Sequence, residues 1–189
     1  TAQAFTTIET DVMQGFENAL CELTQNNESN PCADFSFDKL LVCSSAAGGL
    51  KMVALGLVPD LTAKAARTAA SNAGAKVVKT YAYEISASEQ QEIYDINPDL
   101  VLLCGGTNGG NKEVIIANAK RLVAINRPFT TIVAGNKSAS DEIAEIFKQS
   151  NKNFVITENV MPEFNKLNIE PARDAIRNVF IARIIEAKG

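Results

Sequence analysis

Apolar and polar positions fall in blocks along the chain, and the spacing within the blocks changes. From Ile8 the apolar residues recur at Val12, Phe16, Leu20 and Leu23, the three-to-four-residue stripe of an amphipathic helix. Thr10 and Asp11 stand near its start, where side-chain oxygens accept from free helical N–H groups. The polar segment 24–38, "TQNNESNPCADFSFD", reads as a loop without an assignable role, and "KLLVCSSA" (39–46) and "GLKMVALGLV" (49–58) read as strands. "TAKAARTAASNAG" is an Ala-rich helix ending at Gly74, a residue that tolerates a left-handed cap. Beyond it the chain alternates: strands within 75–85, 99–106, 129–136 and 153–160, and helices within 86–97, 111–125 and 138–150. Ser86 and Glu89 stand at capping-box spacing, and a last helix begins near Pro171. Strand–helix alternation with continuously apolar strands predicts an α/β fold, a mainly parallel sheet with helices on both faces, as one domain over residues 1–189.

Composition narrows the chemistry. With 46% hydrophobic and 21% charged residues in 189, the chain is too apolar for disorder. A formal net charge of -4, with Lys and Arg scattered, excludes a basic nucleic-acid surface. The apolar stretch 40–58 is interrupted by Lys51 and by Gly48 and Gly49, so two buried strands explain it better than a membrane span. Histidine is absent, which removes Ser-His and Cys-His pairs and imidazole metal sites. Cys21, Cys32, Cys43 and Cys104 lack C-x-x-C spacing, so no tightly bound metal and no disulfide is expected. Cys43 and Cys104 read as buried thiols in strand-like runs, and a reducing cytoplasm follows as the compartment.

The candidate site is where glycines gather. Ligands of open α/β sheets bind beyond the carboxyl ends of the strands, and three clusters of small residues fall at such ends: "CSSAAGG" (43–49), "CGGTNGGN" (104–111) and "AGN" (134–136). Gly105, Gly106, Gly109 and Gly110 allow close backbone approach, and the helix start behind them suits an anion such as phosphate. Thr107, Asn108 and Asn111 add hydrogen-bonding groups, with Ser44, Ser45, Gly135 and Asn136 in the flanking clusters. The alternative is that these glycines only make tight strand-to-helix turns. Asp99, before the strand, reads as turn chemistry rather than as a Mg²⁺ ligand. Glu158, Glu163, Glu170 and Arg173 read as a solvated loop and helix start.

Four stretches, "CSSAAGGLKMVALGLVPDLTAKAA", "DLVLLCGGTNGGNKEVIIANA", "VAGN" and "ENVMPEFNKLNIEPARDAI", resemble the GlmL/MutL family. These accessory proteins accompany adenosylcobalamin-dependent glutamate mutase; the mismatch-repair protein of similar name is unrelated. The resemblance implies part of an ATPase domain of the actin, Hsp70 and sugar-kinase type, and a reactivating or chaperone-like role. In that role ATP with Mg²⁺ is the cofactor, the partners are mutase subunits, and a homodimer is a further possibility. It implies that Gly105 to Gly110 form the second phosphate-binding loop, with Asn108 where the family commonly has Asp, so hydrolysis by this chain is in doubt. The first phosphate loop of the family has no counterpart here, which implies an internal piece of a longer protein. A non-catalytic module that docks on the mutase is the alternative; a stand-alone enzyme on phosphorylated metabolites lacks an acid–base pair.

Overall fold

A computed structural model describes residues 2–4, 12–24, 49–71 and 73–186. The chain falls into two compact units, Thr1–Ser45 with Ile184–Gly189, and Ala46–Arg183. In the first, the expected apolar stripe forms helix α1 (Val12–Thr24), and the Gln3 N–H donates to the Glu22 carboxylate at 3.2 Å. Cys21 on α1 is disulfide-bonded, a correction to the expectation of free thiols. Pairing depends on which cysteines the fold brings together, and spacing along the chain does not encode that. Thr10, Asp11, the 25–38 loop and the strand expected at 39–46, with Ser44 and Ser45, lie outside the described residues.

The second unit alternates as its sequence predicts. It runs through β1 (Leu50–Gly56), α2 (Pro59–Ala70), β2 (Ala75–Ala82), α3 (Ala87–Ile96), β3 (Leu100–Leu103), α4 (Glu113–Val123), β4 (Thr130–Val133), α5 (Ser140–Gln149), β5 (Phe154–Ile156) and, as far as Arg183, α6 (Glu170–Glu186). Helix α2 starts earlier than expected, because Pro59 occupies its first turn, where the missing N–H has no role. At α3 the capping box forms: Glu89 N–H donates to the Ser86 hydroxyl, and Ser86 N–H to the Glu89 carboxylate. None of the described helices is long and apolar enough to cross a membrane.

The five strands are all parallel, in the order β2-β1-β3-β4-β5. Successive side chains on a strand point to opposite faces, so each strand feeds two cores. Met52, Ala54, Leu100, Leu102 and Ile132 pack with the alanines of α2 and with Ala172 and Ile176 of α6. Val53, Leu55, Val101, Leu103 and Val133 pack with Ile93 of α3, Leu122 of α4 and Phe147 of α5. The sheet is therefore doubly wound: α2 and α6 cover one face, α3 to α5 the other, and the chain reverses its direction of travel between β1 and β3.

Asp99 sits before β3. Its carboxylate accepts from Lys51 N–H at 2.8 Å and faces Arg183 at 3.7 Å. A four-residue strand, roughly 13 Å long, separates it from the glycines, and its carboxylate ties the start of β3 to the start of β1.

Candidate functional site

Where the crossovers from β1 and β3 depart to opposite faces, the carboxyl ends of the strands part and leave a crevice. A cavity of about 230 Å³ opens at that point. Three stretches wall it: Leu57 to Ala65 after β1, Cys104 to Asn111 after β3, and Asn159 to Phe164 after β5. Among the described residues, none of the lining side chains is charged at neutral pH. Aliphatic groups from Leu57, Leu61, Ala65, Val160 and Met161 dominate, beside the hydroxyls of Thr62 and Thr107.

The glycine loop contributes its backbone. Gly106 has φ +72°, and a Cβ there would drive into the carbonyl oxygen of Asn111, because the loop doubles back on itself. That geometry leaves the N–H groups of Gly105, Gly106 and Thr107 without an acceptor among the described residues. Unpaired backbone amides of a loop are groups to which an anion can bind.

Three asparagines hold the loop. Asn136 is 1% exposed; its Nδ2 donates to the carbonyls of Gly110 (2.9 Å) and Asn111 (3.2 Å), and its Oδ1 accepts from Gly109 N–H (3.1 Å) and Ser138 N–H (3.0 Å). Asn159, also buried, donates through Nδ2 to Gly106 O and Asn108 Oδ1, both at 3.0 Å, and accepts from Met161 N–H at 3.0 Å. Asn108 Oδ1 accepts a second bond from Lys137 N–H at 3.1 Å, and Asn108 N–H donates to Pro162 O. The loops after β3, β4 and β5 are thereby locked into one rim.

The eleven residues singled out by sequence thus separate. Gly105, Gly106, Thr107 and Asn111 line the cavity. Asn108 and Asn136 belong to the supporting network, and Gly109 and Gly110 lie exposed at the loop tip. Gly135 is pressed against Ile115 and the backbone of Gly105, with no room for a side chain. Ser44 and Ser45 lie outside the described residues. Sequence reasoning missed Asn159 and the apolar wall, because single residues scattered over two further loops carry no local pattern. Glu163–Lys166 and Glu170–Arg173 form exposed ion pairs, as their solvated setting predicts.

Cys104 borders the cavity but is 4% exposed, and its thiol donates to Leu55 O at 3.1 Å. Burial pushes the thiol up to about 12. Raised above its unfolded value, this group favours the fold fully below pH ~8.5 and less as pH climbs toward its folded value. Cys104 is therefore expected to react with iodoacetamide at pH 8 only when the protein is denatured, read by mass spectrometry. Rapid labelling of the native protein would contradict the burial.

Among the described residues no group of three His, Cys, Asp or Glu side chains converges to hold a metal. Fold and crevice define a doubly wound α/β protein with a cavity at the carboxyl rim of its sheet, lined by uncharged side chains among the described residues. Residues 1–189 match the family model described as MutL protein. Protein MutL of Clostridium tetanomorphum is 51% identical over 189 residues, a match that takes in 100% of this chain and 40% of that protein. The chain belongs to the MutL family and spans about two fifths of the length of that curated relative. Among solved structures, the response regulator domain of Thermotoga maritima CheB is similar with a TM-score of 0.45 at 12% identity, over 74% of this chain and 96% of that one. The signal receiver domain of a modulated diguanylate cyclase from Desulfovibrio desulfuricans G20 gives 0.42 at 15% identity, over 71% and 97%.

Proposed function

We propose that this chain is the part of an ATP-binding accessory protein that supplies one wall of its nucleotide site. The whole protein serves an adenosylcobalamin-dependent glutamate mutase or a related aminomutase as a reactivating factor. The observation that carries the reading is the row of unpaired amides, Gly105 to Thr107, beside a cavity at the switch point of the sheet. Backbone amides in a concavity bind phosphate without a cationic side chain. Among the described residues no carboxylate lines the cavity, so a Mg²⁺ bound with the nucleotide would be held by groups other than these lining residues. The described lining residues of this wall bind and orient the nucleotide. ATP supply sets such a protein in the cytoplasm, where a disulfide such as that of Cys21 is uncommon.

The isolated 1–189 segment is expected to bind ATP far more weakly than the full-length protein in a calorimetric titration; equal affinities would refute a shared site. Val58 stands extended at the mouth of the cavity, 40% exposed. Val58→Trp should lower the full-length protein's ATP affinity about tenfold or more, a loss of at least ~1.4 kcal/mol, with an unchanged unfolding midpoint. An unaltered affinity would separate the cavity from the nucleotide.

A second reading, a module that docks on the mutase without nucleotide, is favoured by the edge strand β5, where Val155 and Ile156 remain 38% and 39% exposed. Cross-linking to mutase subunits that survives Val58→Trp but is lost on Val155→Lys would support it.

A further inference from the structure

We infer that the cavity takes the neutral, flat part of the ligand, a purine base, and that only the phosphate attached to the ribose reaches Gly105 to Thr107. This rests on the nucleotide reading and adds an orientation to it. An anionic polyphosphate inside walls of Leu57, Leu61, Val160 and Met161 would lose its hydration with no charge to compensate. A base loses little there and buries its faces. The volume agrees: about 230 Å³ falls below the roughly 300–1,000 Å³ of pockets that enclose a whole ligand, so it holds part of one.

Phe164 supplies the stacking surface. It lines the cavity, yet 76% of it is exposed. The exposure is built in, because Phe164 and Asn165 form the tip of a turn. Lys166 N–H closes that turn on Glu163 O at 3.1 Å, and the Glu163–Lys166 ion pair spans it at 3.1 Å. Asn165 takes the left-handed conformation, φ +59°, that lets the chain reverse. An aromatic ring held out at the mouth of an apolar slot is placed to cover a base that enters it. Thr62 and Thr107 also line the cavity, with their hydroxyls packed beside Gly56 and Gly110, and are the hydroxyl side chains of the described lining that the polar edge of a base could meet.

The test is calorimetric titration of the full-length protein and of its Phe164→Ala and Phe164→Trp variants with adenosine, pyrophosphate and ATP. Adenosine should bind the native protein on its own. Phe164→Ala should weaken adenosine and ATP about tenfold, in line with the loss of one stacked ring, leave pyrophosphate unchanged, and leave the unfolding midpoint where it was; Phe164→Trp should keep native affinity. Failure of adenosine to bind, or adenosine affinity indifferent to Phe164→Ala while ATP still binds, would overturn the base pocket and leave the nucleotide wall standing. Adenosine binding that depends on Phe164, with neither ATP nor pyrophosphate bound more tightly, would keep the base pocket and remove the phosphate reading.

Discussion

Gly106→Val is expected to lower the stability of the fold by about 4 kcal/mol, a sum of backbone strain and overpacking. The residue sits at φ +72°, where a β-branched side chain is strongly disfavoured, and its first carbon would collide with the Asn111 carbonyl oxygen. That oxygen cannot retreat freely, because it accepts from Asn136 Nδ2. The loss should appear as a lower urea midpoint, with ligand binding lost alongside the native loop. Gly109 is the control: its φ is +79°, but nothing lies within 4 Å of a Cβ placed there. Gly109→Ala should therefore cost only the strain, about 1 kcal/mol. From sequence alone, Gly106→Val reads as a probe that blocks phosphate with little unfolding, or, should Gly106 have positive φ, as one that strains the backbone as well. The structure shows the second case, since φ is +72° and the loop itself requires the glycine. An unchanged urea midpoint for Gly106→Val would show that the loop does not fold back as described.

Asn136→Ala is expected to cost about 3 kcal/mol, because four backbone groups lose their partner at a buried position. Asn136→Asp should also destabilise. It keeps an acceptor for Gly109 and Ser138 but sets a carboxylate against the carbonyls of Gly110 and Asn111. Native-state hydrogen exchange locates the damage. The amides of Gly109 and Ser138 should lose protection in the alanine variant, while those of the central strand β3 keep the protection set by global stability. Intact protection at Gly109 would place its amide's acceptor elsewhere.

Much of this architecture was legible in the chain. The strands announce themselves because both faces of the sheet are covered, so runs such as "LVLL" at Leu100 to Leu103 are apolar throughout. Ser86 and Glu89 marked a helix start by mechanism, and the capping box formed as their spacing requires. Strand order was not legible, since local periodicity does not state on which side of β1 each crossover lands. The glycine loop after β3 was visible as a composition change, yet its division of labour was not. Asn108, Asn136 and Asn159 look like ordinary loop residues in sequence, and only their mutual distances turn them into a rim. The apolar wall was hidden for a related reason: Leu61 falls between the expected strand and the expected helix and Phe164 in a polar loop, and the two come to one cavity only in the folded chain. Cys104 behaved as a strand residue should, buried and protonated.

The claim on which the function depends is that the amides of Gly105, Gly106 and Thr107 receive a phosphate. The direct measurement is the amide proton resonances of the ¹⁵N-labelled full-length protein during an ATP titration. The three amides should move downfield together as they gain a charge-assisted hydrogen bond, while the Gly109 amide, already bonded to Asn136, stays nearly still. Saturable shifts confined to other residues, with these three unmoved, would place the nucleotide elsewhere and contradict the account.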